Sequence, residues 1–163
     1  MAHKYTKQDI ADMEAEIEHR KNVERPVLIE ALKEARAQGD LSDNFEYYVA
    51  KREKNRNESR IRYLDRIIRT AEIIEDTSAE DEVGIGDVIT VYFEDDDMTD
   101  TYTLLTTKGS DSLNNKISIE SPIGRAILGK KEGDRVKVNL NRDNSFYIQI
   151  RKLEKHSNMS GLV

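Results

Sequence analysis

Apolar residues recur at steps of three and four in the first part of the chain, which is the spacing of one face of an α-helix. The positions are Ile10, Met13, Ile17, Val27 or Leu28, Ala31, Leu32 and Ala35. Thr6 is a suitable N-cap, with Asp9 at the capping-box position, and Gly39 is a suitable C′ residue in left-handed conformation. Pro26 removes one backbone donor, and we expect a kink there because the periodicity resumes beyond it.

A second helix is predicted to begin near Ser42 or Asp43. Its first half, AKREKNRNESR (50–60), contains almost no apolar residue, so it requires solvent or a partner helix on every face. Its later half carries a coiled-coil-like seam, formed by Ile61, Leu64, Ile68, Ala71 and Ile74. Two antiparallel helices of about 30 residues each reach about 45 Å, so part of this hairpin is expected to project from any core.

The period changes to two after the acidic stretch EDTSAEDEVG (75–84), which we interpret as a linker. Five segments then alternate and are rich in Val, Ile, Tyr and Thr, as strands are: DVITVYF (87–93), DTYTLLTT (100–107), NKISIE (115–120), DRVKVNL (134–140) and SFYIQIRKL (145–153). A short helix is predicted between the third and fourth, with Ser121 as cap, Pro122 at its first position and Gly129 ending it.

These patterns predict an α+β protein of two domains. Residues 1–76 form an N-terminal antiparallel helical hairpin, and residues 77–163 form a small antiparallel β domain with one short helix. A hydrophobic share of 37% and a charged share of 36% suit a long solvated hairpin joined to a small folded unit.

The composition limits the kinds of site that the chain can contain. There is no cysteine, which excludes disulfides and thiolate metal sites. The three histidines lie far apart in sequence, without ligand spacing. No apolar run reaches about 18 residues and the N-terminus lacks an apolar signal core, so we expect a soluble cytoplasmic protein that spans no membrane.

Charge is divided between the two limbs of the hairpin. The net charge of −6 argues against a general duplex-DNA binder. Residues 9–46 hold 11 acids and 5 bases, whereas residues 51–69 hold 8 bases and 3 acids. The basic run can pair with the acidic limb, at roughly 0–1 kcal/mol for each exposed pair.

The hairpin tip, GDLSDNFEY (39–47), carries three acids. From spacing alone, Asp43 with Glu46 three residues on is a helix N-terminus resembling a capping box.

This tip, followed by SPIGRAILGKKEGDRV (121–136), resembles the bacterial transcript cleavage factors of the GreA/GreB family. AEIIE (71–75) and GDVITV (86–91) add to the resemblance, which covers nearly the whole chain in the family's order and is nearer to GreA. It implies an FKBP-like C-terminal domain that docks on RNA polymerase beside the secondary channel, while the coiled coil enters that channel. The docking segment corresponds to Ser121, Pro122, Gly124 and Gly129.

The resemblance also implies the chemistry of the tip. Asp40 and Asp43 match the two essential acids, which help to hold the second magnesium ion and the attacking water in the polymerase active centre. Glu46 matches a third, less directly implicated acid. The factor would bind no cofactor alone, would be a monomer without a catalytic centre of its own, and would stimulate hydrolysis near the 3′ end of backtracked nascent RNA.

Two alternatives stay open. Lys51, Arg52, Lys54 and Arg56 either pair across the hairpin, as Arg60 and Arg62 also could, or contact the extruded RNA or the channel walls. Asp43 stands where family members most often carry Glu, which retains the charge and shortens the reach. A homologue that occupies the channel and regulates polymerase without stimulating cleavage is therefore the alternative function, and an isomerase or adaptor acting through the C-terminal domain is a distant third.

Overall fold

The computed structural model describes residues 2–39 and 44–156. Contacts divide the chain into two compact units. The first is built mainly from Lys7–Glu72, and the second from Ile73–Val163 together with Lys4–Thr6.

The first unit is a helical hairpin. It consists of α1 (Lys7–His19), a π-helical segment (Arg20–Glu24), α2 (Arg25–Arg36) and α3 (Phe45–Thr70). Arg60 of α3 pairs with Glu16 of α1, and Asn44, which precedes α3, bonds to Ala35 of α2. Because the residue numbers fall along one limb as they rise along the other, the limbs are antiparallel, as predicted.

The first limb runs through Pro26 without ending, which confirms the prediction of a continuing helix. The π-helical segment lies immediately before it, with the Arg25 N–H donating to the Arg20 carbonyl. Proline lacks an N–H, and its ring crowds the carbonyl four residues earlier. The hydrogen-bond pattern of the backbone changes at this wider π-helical turn, and the helix continues beyond it.

The second limb ends earlier than predicted. Ile61 and Leu64 are buried, as the seam requires, but α3 stops at Thr70 and Ala71 is already extended. The assignment of Ala71 and Ile74 to the helix was therefore wrong. Glu72–Ile74 forms strand β2, which pairs with strand β1, Lys4–Thr6, and extended pairing suits the β-branched residues there.

The second unit contains a five-stranded sheet of order β5-β4-β3-β7-β6. Its elements are β3 (Val88–Phe93), β4 (Met98–Leu105), β5 (Lys116–Ser118), α4 (Pro122–Ile127), β6 (Arg135–Asn139) and β7 (Ser145–Glu154). The α+β class, the five strands and the short helix are confirmed. The sheet is mixed and not purely antiparallel as predicted, because β4 and β5 run parallel. The chain between them passes through two 3₁₀ turns instead of a tight hairpin.

The core of the second unit lies under this sheet. It comprises Val83, Ile89, Val91, Leu104, Ile119, Ile127, Val136, Val138, Ile148 and Ile150. Val83 belongs to the stretch 75–84, yet it is fully buried, and its backbone exchanges hydrogen bonds with Gly129 and Lys130. The end of the expected linker is thus an integral part of this unit. In the described part of the chain, no helix combines the length and the apolarity needed to cross a membrane.

Candidate functional site at the hairpin tip

Of the three acids predicted to act at the tip, the described part of the chain includes Glu46. Asp40 and Asp43 lie outside the described residues, between Gly39 and Asn44. Glu46 lies in the first turn of α3 and is exposed. Gly39 has a φ of 141°, a region that residues with a side chain avoid. It lies two residues beyond Ala37, the C-cap of α2, so Gln38 is the C′ residue and the prediction of Gly39 at C′ was wrong by one residue.

Asn44, and not Asp43, is the N-cap of α3. The helix begins at Phe45, and Asn44 Oδ1 accepts the N–H of Tyr47 at 3.1 Å. The prediction that Asp43 caps α3 was wrong by one residue, because the Asn44 side chain accepts the Tyr47 N–H at the start of the helix. The amide nitrogen of Asn44 also donates to the carbonyl of Ala35 in α2, so the same side chain joins the two helix ends.

Tyr47 packs at the base of the tip between two cations. The Arg36 guanidinium lies 5.5 Å from its ring centroid and the Lys51 ammonium 5.9 Å. Hydrogen bonding from Arg36, aided by the Lys51 charge, lowers the pKa of the Tyr47 hydroxyl. Tyr48 meets the Tyr47 ring edge-on at 5.6 Å and remains about half exposed, at 48%. Tyr47 therefore closes the hairpin, while Tyr48 presents an aromatic face to solvent.

The basic run divides into paired and unpaired residues. Arg60 Nε donates to Glu16 Oε2 at 2.9 Å across the hairpin. No carboxylate among the described residues lies within ion-pair distance of the other cations of interest, which are Lys51, Arg52, Lys54 and Arg56. Cross-hairpin pairing thus accounts for Arg60. The half of the run nearer the tip forms no ion pair with a described carboxylate, although the charge of Lys54 acts on Glu58.

A second cross-hairpin pair joins a base on the acidic limb to an acid on the basic limb. Arg25, on the acidic limb, donates through two nitrogens to Glu58 on the basic limb, at 2.8 and 2.7 Å. This pair removes one positive charge from the acidic limb and one negative charge from the basic limb. The pairing therefore sharpens, rather than cancels, the separation of charge between the limbs.

Comparison with known proteins identifies the family. Residues 3–73 match the model described as "Transcription elongation factor, N-terminal", and residues 78–155 match "Transcription elongation factor, GreA/GreB, C-term". The chain belongs to the GreA/GreB family of transcription elongation factors. The resemblance found in the tip and in the segment 121–136 is confirmed.

Two relatives that are at least 41% identical to this chain over the aligned residues agree with this assignment. The chain is 42% identical over 146 residues to transcription elongation factor GreA of Streptococcus thermophilus, covering 89% of this chain and 91% of that protein. It is 41% identical over 144 residues to GreA of Streptococcus pneumoniae, with 88% and 89% covered. Among solved structures, GreA factor homolog 1 (Gfh1) of Thermus thermophilus is 24% identical, with 95% and 100% covered and a TM-score of 0.44.

The second GreA/GreB motif builds the short helix α4. Ser121 Oγ accepts the Gly124 N–H at 3.1 Å and donates to the Ser118 carbonyl at 2.6 Å, so it caps the helix as predicted. Gly124 is buried, and a Cβ there would lie 1.9 Å from the Ser118 carbonyl oxygen. Its part in any docking surface is therefore to set the position of α4, since it presents no side chain and little surface.

The end of α4 also depends on a glycine. Gly129 has a φ of 81° and donates its N–H to the Val83 carbonyl at 2.9 Å. Pro122, at the first helical position, needs no backbone donor there. Each of the four candidate docking residues thus has a local structural role, and Ser121 and Pro122 are half-buried.

Sequence reasoning missed two asparagines. Asn44 is of the residue type most favoured at N-caps, and its place directly before Phe45 was the available signal. Asn57 carried no signal, because it is one polar residue within a polar run. It is nonetheless buried, at 4% exposed, and bonded to Arg20 through both ends of its amide.

The side chains that could bind a metal lie at the tip. Over residues 2–39 and 44–156, no three His, Cys, Asp or Glu side chains come together as a metal site. The carboxylates of Asp40 and Asp43 lie outside those ranges and are hard oxygen donors of the kind magnesium prefers. The residue types at the tip are therefore of a kind that can bind magnesium.

Proposed function

We propose that this chain is a monomeric cytoplasmic factor that binds bacterial RNA polymerase and stimulates cleavage of backtracked RNA. The hairpin tip enters the secondary channel and brings Asp40 and Asp43 to the polymerase active centre. The polymerase then hydrolyses the nascent RNA near its 3′ end. The chain supplies carboxylates and not a complete catalytic site, so it is not itself an enzyme.

The observation that carries this proposal is the cap of α3. Because Asn44 caps α3 by accepting the Tyr47 N–H, that cap does not require Asp43. Of the described residues beside the turn, Gly39, Phe45 and Glu46 are all exposed. A role toward a partner explains acids at this turn better than the capping of α3 does.

The chemistry of the tip supports the same conclusion. In two-metal hydrolysis, ions roughly 3.5–4 Å apart stabilise the attacking and leaving oxygens. A magnesium ion supplies that charge stabilisation and lowers the pKa of the water that it binds. Asp40 and Asp43 would hold this ion together with the polymerase, and Glu46, exposed in the first turn of α3, is the secondary acid.

The cations near the tip support contact with RNA. Lys51, Arg52, Lys54 and Arg56 follow the tip along α3, and none of them forms an ion pair with a described carboxylate. Positive charges that neutralise phosphates release counterions and so favour binding. We assign these four residues to the extruded RNA or to the channel walls.

Docking is assigned to the second unit. Ser121 and Pro122 open α4, Gly124 allows its close approach to Ser118, and Gly129 ends it. We propose that this segment contacts polymerase beside the secondary channel. The helix is short and capped, so its surface is held in one conformation before binding.

A stalled, backtracked elongation complex tests the proposal. Addition of the purified protein is expected to shorten the RNA from its 3′ end, and isosteric Asp40→Asn or Asp43→Asn variants are expected to bind without shortening it. Suppressed RNA synthesis without cleavage would instead establish a regulatory channel binder, the function that Asp43 in place of the usual Glu would favour. An absence of both binding and effect would refute both functions.

A further inference from the structure

One side chain closes the hairpin at its tip. Asn44 accepts the Tyr47 N–H, which is one of the unpaired donors at the start of α3. Its amide nitrogen donates to the Ala35 carbonyl, in the last turn of α2. Asn44 thus serves both helix ends at once and bridges a separation of nine residues along the chain.

The anchor point on α2 is itself well fixed. Ala35 is buried, at 7% exposed, and is the last buried residue of that helix. Its carbonyl also accepts the Gln38 N–H at 3.2 Å. The bond from Asn44 therefore ties the start of α3 to the end of the packed part of α2.

Asp40 and Asp43 both fall within the segment that this bond closes, and Asp43 is covalently adjacent to Asn44. We propose that Asn44 is a positioning residue, which fixes the separation of the two helix ends and thereby places both acids for metal binding. This inference rests on the proposed function. Asn44 touches neither RNA nor metal in this account and acts through the backbone that carries the acids.

Two substitutions separate the bridge from the cap. Asn44→Ser keeps an oxygen that can cap α3, but its side chain is too short to reach the Ala35 carbonyl at the same time. Asn44→Asp also caps, yet a carboxylate has no hydrogen to donate to that carbonyl. Both variants should retain α3 and lose the tie to α2, although they differ in charge.

The matched control is another tie across the same hairpin. Arg25→Gln breaks the two-nitrogen contact with Glu58, well away from the tip. It loosens the contact between the limbs without altering the helix ends at the acidic turn. Loss of activity in the Asn44 variants but not in Arg25→Gln would therefore report on the tip and not on general stability.

The experiment measures cleavage and geometry in the same variants. For Asn44→Ser and Asn44→Asp we expect RNA cleavage to fall about 10- to 100-fold, because a displacement of about 1 Å in a catalytic group can cost about 10²-fold. The magnesium concentration that gives half-maximal cleavage should rise, and polymerase affinity should stay unchanged. Cleavage equal to wild type in both variants, or equal losses in Arg25→Gln, would overturn the proposal.

A distance measurement keeps this inference separable from the proposed function. The chain has no cysteine, so spin labels can be placed at Lys33→Cys and Glu53→Cys, two exposed positions on the facing helices. The distribution of label distances should broaden in the Asn44 variants and not in Arg25→Gln. An unbroadened distribution would overturn the role of Asn44 whatever the cleavage result, whereas broadening with no cleavage by wild type would refute the proposed function alone.

Discussion

The ammonium of Lys155 lies 2.7 Å from Oδ2 of Asp87, a carboxylate that is almost completely buried, at 1% exposed. The same carboxylate accepts the backbone N–H groups of Gly84 and His156, each at 2.7 Å. Lys155 also donates to the Glu82 carbonyl at 2.6 Å. This network binds the end of β7 to the stretch that precedes β3, so it stabilises the second unit.

The network predicts a large difference between two lysines of that unit. Lys155→Met should lower the free energy of unfolding by about 3–5 kcal/mol, because it leaves a buried carboxylate unpaired. Lys131→Met removes an exposed pair with Asp81 and should leave the free energy of unfolding nearly unchanged, because solvent screens such a pair. Denaturant unfolding of the full chain measures both, and equal losses would show that the Asp87 pair is not the stabilising contact.

Glu16 makes the stability of the hairpin depend on pH. Hydrogen bonding from the Arg60 guanidinium, aided by Arg20 and opposed by partial burial, lowers the pKa of Glu16 from 4.5 to about 2. Because this pKa is depressed in the folded state, the stabilisation is complete above the unfolded value of 4.5 and is lost as the pH falls toward 2.

A comparison with glutamine measures that dependence. At neutral pH, Glu16→Gln should be less stable than wild type by about 1 kcal/mol, since the group is partly solvated. The difference should shrink between pH 4.5 and about 2. Exposed Glu18, substituted in the same way, is the control. A gap that stays constant down to the lowest pH would contradict the assignment to Glu16.

Asn57 is predicted to stabilise the hairpin from inside. Its amide accepts from Arg20 Nη1 at 3.0 Å and donates to the Arg20 carbonyl at 3.2 Å, at the π-helical segment. Asn57→Ala should lower the free energy of unfolding by about 1–3 kcal/mol, because it leaves buried polar groups unsatisfied. Asn55→Ala, at an exposed position two residues earlier, should have an effect within about 0.5 kcal/mol. Thermal unfolding of both variants distinguishes a buried polar contact from a general effect of helix composition.

Substitution of Asp43 by Ala should lower activity with little change in stability. Asn44→Ala is expected to cost about 1 kcal/mol as a lost cap. Asp43→Ala should change stability by less than about 0.5 kcal/mol and abolish stimulated cleavage, and Asp43→Glu should raise cleavage by lengthening the reach. Cleavage rates are measured against magnesium concentration. Persistent cleavage in Asp43→Ala, with unchanged magnesium dependence, would remove Asp43 from the site.

The unpaired cations predict a salt-dependent defect. Simultaneous replacement of Lys51, Arg52, Lys54 and Arg56 by Ala should weaken stimulated cleavage most at low salt, because phosphate contacts are electrostatic. The melting temperature should change little, since none of the four pairs with a described carboxylate. A drop in melting temperature without loss of cleavage would assign the run to stability alone.

The periodicity of apolar residues alone predicted most of the helices and strands. The steps of three and four predict the hairpin, and the alternation predicts all five strands of the sheet, because each element must turn one apolar face toward a core. Ser121 and Pro122 likewise predict the start of α4, since capping depends on residues close in sequence. The motifs at the tip and at 121–136 were enough to indicate the family.

The tertiary structure decided the conformation of segments whose backbone pairs with residues that are distant in sequence. Glu72–Ile74 leaves the helical pattern because β1, far away in sequence, offers strand pairing. Val83 is buried within an acidic stretch because Gly129 and Lys130 bind its backbone. Neither partner is visible in the local pattern of hydrophobic and polar residues.

The tip shows the same division at the level of single side chains. Both Asp43 and Asn44 are good N-cap residues, so local sequence predicts a cap without deciding which residue provides it. An asparagine amide both accepts and donates hydrogen bonds, whereas a carboxylate only accepts. The Ala35 carbonyl on the facing helix requires a donor, and only the folded hairpin brings that carbonyl to Asn44.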